Sequence, residues 1–233
     1  MILGINQPYF VPYLGYWQLV NSVDVFALAD DYNYIKNGWI NRNYILFQGE
    51  KQWFSLPVRH ASQNRLICDH EIADFNAQSL YTQLHHAYAH APYFKEGMEV
   101  VTNILQYPDR SLSGFLFHSH LILCEYLGIH TRLIQTSSLT HAEGRHREER
   151  IYDYCHQLKA DTYHNLIGGV SLYDRDSFQR EGITLKFVRS ELNPYPQQSA
   201  EFVPGLSIID IIMNNSCETA HRMLSDCSLI SGL

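Results

Sequence analysis

The sequence predicts an α/β protein of three layers, in which helices cover both faces of a largely parallel sheet, as in Rossmann-like and nucleotidyltransferase-like folds. One observation is a pair of short apolar segments, at 2–5 and 23–29, separated by a connection long enough for a short helix. Another is the regular alternation of strands and helices later in the chain, which favours parallel crossover connections. Those segments are strands at 131–136, 162–166 and 184–188 and helices at 147–159 and 174–181.

The first third of the chain also predicts one helix, one hairpin and one further strand. The segment 14–22 follows the first strand and has the length and apolar content of a short helix. Two β-rich segments, 44–47 and 52–58, flank a glycine-containing turn at 48–51, which is the pattern of a hairpin. The further strand is predicted at 67–72.

The middle of the chain, from about residue 76 to 128, is interpreted as an inserted helical region within a single domain that spans 1–233. Asn76 is a suitable N-cap for the first helix of this region, and Gly128 is a suitable terminator for the last. Three helices are predicted there, at 77–91, 93–106 and 112–127.

A short amphipathic helix is predicted near the C-terminal end, after Pro204. Two stripes of side chains run along it, an apolar stripe for the core and a polar stripe beside it. They are Leu206, Ile209 and Met213 for the apolar stripe and Ser207, Asp210 and Asn214 for the polar one. The strongly apolar neighbours of Asp210 favour its burial against a site.

The composition limits the class of protein. With 233 residues, of which 45% are hydrophobic, the chain can bury a sizeable core. A formal charge of −7 argues against a nonspecific nucleic-acid binder, and the sequence has no apolar run long enough for a membrane span. The five cysteines form no CxxC pair and the 13 histidines form no known metal-ligand motif. The sequence therefore predicts a cytoplasmic protein with reduced cysteines and no metal site.

The densest group of site-like residues lies at the end of the first predicted strand. Asn6 and Gln7 open a loop whose backbone is fixed by two prolines and a glycine. The acid pair Asp30 and Asp31 ends the second predicted strand. Because α/β proteins bind ligands at the carboxyl ends of their strands, we predict a ligand site here.

The predicted ligand site implies that residues distant in sequence lie close together. Gln7, the acid pair and Arg42 should converge on one pocket, and Asp210 from the tail helix should join them. The short connection between the strands at 2–5 and 23–28 predicts that they are adjacent and parallel. Replacing Arg42 with alanine should then abolish ligand binding and leave thermal stability nearly unchanged, because a partly solvated cation contributes little to folding.

A second loop, at 140–146, is interpreted either as a mobile basic lid or as a surface turn. It contains Arg145 and His146, and Arg147 and Arg150 follow at the start of a predicted helix. Positive charge at a helix start can meet an anion, and loops often carry function. Both interpretations stay open from the sequence.

Blocks along nearly the whole chain resemble the WbqC-like family of bacterial proteins. In chain order they are QPYFVPYLGY, DDYNYIKNGWINRN, AYAHAPYF, SSL, EERIYDYCHQLKADTYHNLIGG with Tyr173, and FVPGLSIIDIIMNN. Members of that family are associated with surface-polysaccharide biosynthesis of the O-antigen type, and transfer of an amino acid such as glycine onto a sugar has been proposed for them. The resemblance implies work on an activated sugar or its amine. The family often has a histidine where this chain has Asn6, which weakens the case for an acid/base role there.

The matching blocks carry a set of implied site residues onto this chain. In this interpretation the cations neutralise phosphate or carboxylate, the acids orient the sugar or accept the amine proton, and aromatic rings stack on a ring of the ligand. The implied catalytic residues are Asp30, Asp31, Lys36 and Arg42. The implied binding residues are Gln7, Tyr16, Trp39, Asn43, Tyr88, Tyr93, Ser137, Arg150, Gly168, Gly169, Tyr173, Gln197, Ser207 and Asp210.

Three hypotheses for function stay open. The first is an acyl or aminoacyl transferase that acts on an amino sugar, with an adenylated acid as one route. The strand, loop and helix at 2–16 also resemble those of HIGH-type nucleotidyltransferases, with Tyr13 and Tyr16 in place of histidines. The second is a noncatalytic or scaffold protein that binds a sugar nucleotide. The third is a glycosyltransferase whose acid pair binds a divalent metal.

The expected partner in each hypothesis is a small molecule or a sugar nucleotide. Neither a cofactor nor the oligomeric state follows from the sequence.

Overall fold

A computed structural model describes residues 1–142, 144–145 and 148–231 of the chain. Its main feature is a six-stranded sheet in the order β5-β2-β1-β6-β7-β8. All neighbouring strands pair in parallel except β7 and β8, which are antiparallel. The strands are β1 (Ile2–Asn6), β2 (Val25–Leu28), β5 (Arg132–Gln135), β6 (Thr162–Leu166), β7 (Thr184–Ser190) and β8 (Cys227–Ser231).

Helices and a separate hairpin fill the connections. The hairpin pairs β3 (Arg42–Phe47) with β4 (Glu50–Ser55) in antiparallel register, and Gln48 and Gly49 between them both have positive φ, as a tight hairpin turn requires. The helices are α1 (Leu14–Asn21), α2 (Ala77–Tyr88), α3 (Phe94–Leu105), α4 (Leu112–Leu127), α5 (Glu148–Leu158), α6 (Arg175–Arg180), α7 (Ile208–Asn214) and α8 (Cys217–Met223). Short 3-10 helices lie at Ile67–Asp69, Thr136–Ser138 and Ile167–Leu172.

Two hydrophobic cores lie against the two faces of the sheet. Alternate residues of β2 belong to different cores: Phe26 packs with the helical layer that contains α1, α4 and α7, whereas Val25 packs with the layer that contains α5 and α6. This alternation follows from the period of two along a strand. The predicted three-layer α/β fold with a largely parallel sheet is confirmed.

Several sequence predictions have direct counterparts. The first two strands are adjacent and parallel, with Leu3 opposite Val25. The side chain of Asn76 accepts a hydrogen bond from the backbone N–H of Gln78 and so caps α2. Gly128 ends α4 in the left-handed conformation at φ 67°.

The strand predicted at 67–72 is wrong. A 3-10 helix occupies Ile67–Asp69, and only single bridges follow, from Glu71 to Ser111 and from Ile72 to Val58. The physical reason is that, within the described part of the chain, no strand pairs along this segment. The backbone N–H of Ile72 donates instead to the carbonyl of Arg110 in the connection before α4.

Candidate functional site

A cleft opens at the carboxyl edge of the sheet, where the order of the strands reverses. From β1 the chain continues to β2 and β5 on one side, and it later returns to β6 and β7 on the other side of β1. In open α/β sheets this reversal leaves a crevice outside the strand ends, which is the usual ligand position. Asn6 ends β1 and Leu166 ends β6, and both line the cleft.

The cleft comprises three neighbouring compartments that share lining residues. The central compartment encloses about 370 Å³ and is lined by residues that include Asn6, Gln7, Tyr9, Tyr13, Tyr32, Asn165, Leu166, Gly168, Gly169, Tyr173 and Ser190. The aromatic compartment, of about 350 Å³, shares Asn6, Tyr9, Tyr13 and Leu166 with it and adds Trp39, Asn43 and Gly205. The arginine compartment, of about 600 Å³, shares Gln7 and Tyr32 with it and adds Asp31, Asn33, Ile35, Leu66, Arg145 and Arg150. Such volumes suit small-molecule ligands.

The amides at the end of β1 provide free hydrogen-bonding groups. The Oδ1 atom of Asn6 accepts from the backbone N–H of Gln7 at 2.8 Å, which leaves the Nδ2 atom without a partner among the described residues. The side-chain amide of Gln7 has no hydrogen bond within that part of the chain either. Burial raises the pKa of Tyr9 and Tyr13, so both phenols stay neutral near pH 7. The centre of the cleft is therefore polar but uncharged.

The glycines of the 3-10 helix after β6 allow the backbone to approach the cleft. A Cβ atom at Gly169 would lie 3.2 Å from both the side chain of Asn165 and the ring of Tyr173. The amide of Asn165 donates to the hydroxyl of Tyr173 at 2.9 Å. Gly168, Gly169 and Tyr173 thus all line the central compartment, as the family blocks imply for site residues.

The loop between β1 and α1 is held by distant parts of the chain. Val11 has φ 40°, which is strained for a β-branched residue, and its carbonyl accepts from the Asn43 side chain at 3.1 Å and the Ser207 hydroxyl at 2.6 Å. The Tyr16 hydroxyl donates to the carbonyl of Gln7 at 3.0 Å. Tyr16 and Ser207 are fully buried, so these two predicted ligand-binding residues instead position the loop. Asn43 also borders the aromatic compartment.

Asp30 does not face the cleft. Only 1% of the residue is exposed, and its carboxylate accepts hydrogen bonds from Ser113, Gln135, Thr136 and both the N–H and hydroxyl of Ser137. These contacts tie the end of β2 to the end of β5 and to α4. Asp30, predicted as catalytic, thus lies outside the cleft in this structure, and the predicted binding residue Ser137 is one of its hydrogen-bond partners.

Asp31 lies in the arginine compartment, next to Gln7. Its carboxylate pairs with Arg150 and accepts from the Tyr154 hydroxyl at 3.0 Å, while its other oxygen accepts from Thr136. The Arg150 guanidinium also stacks over the ring of Tyr32, 4.1 Å from the ring centre. The sequence prediction that Gln7 meets the acid pair therefore holds for Asp31, and Arg150 joins them.

The acid pair does not form a divalent-metal site. The Asp30 oxygens are occupied by donors, and the Asp31 carboxylate faces a cation, which would repel a metal ion. Among the residues that the structure describes, no group of three or more His, Cys, Asp or Glu side chains is arranged to hold a metal. The contacts of the acid pair therefore give no support to the metal-dependent glycosyltransferase hypothesis.

Asp210 lies in a separate buried cluster. Its carboxylate accepts from the hydroxyls of Tyr88 at 2.9 Å and Tyr195 at 2.6 Å and from the amide of Gln197 at 2.8 Å. The residue has no exposed surface, so the prediction that it shares a pocket with Gln7 is wrong. Tyr88 and Gln197, also predicted to bind ligand, contact Asp210 instead.

The fully buried Asp210 predicts a pH-dependent stability. Burial raises the pKa of this carboxyl above its ordinary value of 3.8, against the opposing effect of its three hydrogen bonds. An acid with a raised pKa in the folded state holds its proton more tightly there than in the unfolded chain. Its contribution to stability is therefore complete below pH 3.8 and is lost as the pH rises through the folded-state pKa.

We expect Asp210→Asn to remove that component of the pH dependence. The free energy of unfolding, from urea titrations at several pH values above 3.8, should fall less steeply with pH in the variant than in the wild type. The control is Asp74→Asn, at a side chain that is 88% exposed. Identical slopes for Asp210→Asn and wild type would refute this assignment.

The remaining predicted residues lie outside the three compartments. Arg42 donates to the carbonyls of Asn37 and Gly38, and its guanidinium carbon lies 3.9 Å from the centre of the Trp53 ring. Arg42 therefore does not join Gln7 in one pocket as predicted. Lys36 is exposed, and Tyr93 precedes α3, where its backbone N–H donates to the carbonyl of Met213.

The loop predicted as either a basic lid or a surface turn is described only in part. Arg145 lines the arginine compartment and pairs with Glu149 at 3.2 Å and Asp153 at 3.7 Å. His146 and Arg147 lie outside the described residues. Arg145 and Arg150 are the two cations of the arginine compartment among the residues described there.

The sequence prediction missed several cleft residues. Tyr9, Tyr13 and Tyr32 form much of the wall, and Asn165 lies at the end of β6. Asn165 has the same signal as Asn6, since each is a polar amide at the carboxyl end of a buried parallel strand. The rule that selected Asn6, an amide at the carboxyl end of a buried strand, would also have selected Asn165.

The described part of the chain contains no helix that is both long and apolar enough to cross a membrane. All five cysteines are free.

Comparison with known proteins gives a family and one relative. The family model described as the WbqC-like protein family matches residues 7–222. The uncharacterized protein Rv1507c of Mycobacterium tuberculosis (strain ATCC 25618 / H37Rv) is 29% identical over 222 residues, which cover 93% of this chain and 94% of that protein. No solved structure matches the chain.

Proposed function

Because the chain belongs to the WbqC-like protein family, we propose that it is a cytoplasmic transferase of bacterial surface-polysaccharide biosynthesis. We propose that it binds a nucleotide-linked amino sugar in the cleft and transfers an acyl or aminoacyl group, such as glycyl, to the sugar amine. One observation carries the proposal. The cleft at the strand reversal joins a tyrosine-lined, uncharged centre to a compartment with two arginines.

The chemistry of the compartments matches the parts of such a ligand. Tyrosine rings and free amides can stack on and hydrogen-bond a base or a ribose. Arginine is suited to phosphate because its planar donors bind two oxygens at once. Arg150 is held in place by Asp31, Tyr32 and Tyr154, and so would meet a diphosphate with little loss of side-chain freedom.

Among the described residues, the linings of the three compartments contain a single carboxylate. It is Asp31, in the arginine compartment. In the proposed reaction the sugar amine attacks the carbonyl carbon of an activated acyl donor, such as an acyl adenylate. The new C–N bond forms, the bond from that carbon to the leaving group breaks, and Asp31 accepts the amine proton. The Arg150 guanidinium pairs with this carboxylate and so fixes its position.

A noncatalytic sugar-nucleotide-binding or scaffold role is the second candidate. It is favoured by the contacts of Asp31, whose two oxygens are already occupied by Arg150, Tyr154 and Thr136. Binding without turnover would distinguish this role from the transferase. The direct test supplies UDP-glucosamine and glycyl adenylate, the activated donor of the proposed step, and compares by mass spectrometry the yield of glycyl-sugar nucleotide with and without the protein.

We expect Asn6→Asp to weaken binding of UDP-N-acetylglucosamine in calorimetry by about 10-fold or more, because a carboxylate in the cleft repels the diphosphate. The substituted side chain keeps the oxygen that accepts from Gln7, so the free energy of unfolding should change by less than about 1 kcal/mol.

The control for Asn6→Asp is Asn103→Asp, at a position on α3 away from the cleft. Unchanged nucleotide affinity in Asn6→Asp would place the ligand elsewhere.

A further inference from the structure

The aromatic compartment differs chemically from the other end of the cleft. Its lining among the described residues contains three aromatic side chains, two amides, a leucine and a glycine, and no charged group. The arginine compartment, in contrast, is lined by Arg145, Arg150 and Asp31. A phosphate or carboxylate is therefore matched by the arginine compartment and not by the aromatic one.

The exposed ring of Trp39 is fixed in position by its surroundings. Its backbone carbonyl accepts from the N–H of Phe10 at 3.0 Å, which ties it to the loop after β1. Its ring centre lies 5.7 Å from the rings of Tyr44 and Trp53, and 39% of the residue remains exposed. Arg42 stacks on Trp53 and donates hydrogen bonds to the carbonyls of Asn37 and Gly38, just before Trp39. These contacts help to hold the aromatic group in place.

A pyranose ring has the complementary chemistry. Its axial C–H groups form an apolar face, and its hydroxyls form a polar edge that needs hydrogen-bonding partners. An aromatic ring can cover the apolar face, while amides and phenols bond the edge. Asn6, whose Nδ2 atom is free, and Tyr9 and Tyr13 line the same compartment. The amide of Asn43 is already engaged by the carbonyls of Phe10 and Val11.

We propose that the aromatic compartment is the subsite for an uncharged saccharide ring, which stacks on Trp39. The assignment of that ring as part of the reacting substrate rests on the proposed function. The subsite itself rests on the lining and on the fixed, exposed ring. The volume of about 350 Å³ accommodates one such ring. The saccharide would then lie beside the central compartment, with which this subsite shares Asn6, Tyr9 and Tyr13.

Tryptophan fluorescence can test the subsite directly. The chain has three tryptophans, of which Trp17 is fully buried, so an added saccharide can reach only Trp39 and Trp53. The probes are free N-acetylglucosamine and UDP. Fluorescence reports saccharide binding to the wild type, and calorimetry measures both ligands in the wild type and in every variant, because the Trp39 variants lack the reporting indole. We expect Trp39→Ala to weaken N-acetylglucosamine binding by about 10-fold and to change UDP affinity by less than about twofold. Trp39→Phe should retain most of the saccharide affinity.

The control is Trp53→Phe, which removes a neighbouring indole and keeps Trp39. An N-acetylglucosamine affinity that is the same in Trp39→Ala and wild type, or the absence of any response in the wild type, would overturn the subsite. Saccharide binding without UDP binding would support the subsite and refute the proposed nucleotide site. If Trp39→Ala does not fold, Trp39→Leu replaces it with the same expected loss, because leucine keeps an apolar side chain but lacks the aromatic ring.

Discussion

Asp30→Ala should destabilise the protein strongly, with a loss of about 3 kcal/mol or more in the free energy of unfolding. The substitution removes the acceptor for donors from Ser113, Gln135 and Ser137, of which Ser113 is buried and Gln135 is half-buried. Loss of a hydrogen bond to a charged group costs about 1.5–3 kcal/mol, and several are lost together. For a chain of this length the thermal midpoint should fall by roughly 6 to 12 °C.

The control for Asp30→Ala is Asp74→Ala, since the Asp74 side chain is 88% exposed and lies 3.7 Å from Arg59. Its expected effect is within about 0.5 kcal/mol. The stability loss of Asp30→Asn should lie between those of Asp30→Ala and Asp74→Ala. One side-chain oxygen can still accept hydrogen bonds, but the new NH2 group faces other donors. A stability loss below about 1 kcal/mol for Asp30→Ala would contradict a structural role.

Arg150→Met should weaken UDP binding by about 100-fold, which corresponds to about 2.7 kcal/mol. Two effects act in the same direction. The variant lacks a cation for the diphosphate, and it leaves the Asp31 carboxylate unpaired beside the ligand. Arg150→Lys should recover only part of the affinity, because an ammonium cannot form the planar contacts with Asp31, Tyr154 and Tyr32 at once.

Binding by the Arg150 variants should be measured by calorimetry well below the thermal midpoint, since this ion pair also contributes to stability. The matched control is Arg180→Met, because the Arg180 side chain is 74% exposed and lies outside the cleft. Equal UDP affinities for wild type and Arg150→Met would show that the arginine compartment does not bind the phosphates.

The parallel sheet was predictable because its signals are local. The run from Val25 to Leu28 is apolar at every position, as in a strand covered on both faces, and one short helix separates it from β1. The antiparallel edge strand β8 was missed. Its five residues, Cys227–Ser231, alternate only weakly in hydrophobicity, and pairing with β7 is what defines it as a strand.

The candidate site was predictable only in part, because a sequence shows which residues are polar but not what satisfies them. Gln7 and Asp31 follow neighbouring parallel strands, and that geometry brings them to one cleft. Asp210 has equally suggestive polarity, but its partner Tyr88 lies 122 residues away, and its partner Gln197 comes from the irregular segment before α7. No local pattern indicates that these three satisfy one another inside the core.

The strained backbone at Val11 has a consequence for the order in which the molecule is made. Its carbonyl is held by Asn43 and Ser207, which lie 32 and 196 residues further along the chain. During synthesis from the N-terminus, Asn6 and Gln7 leave the ribosome long before Ser207 does. Contacts of such long range form late because closing so large a loop is entropically costly. We therefore expect the loop after β1 to reach this conformation only once nearly the whole chain has been translated. A shortened chain that ends before α7 should carry most of the cleft residues without the shape of the cleft.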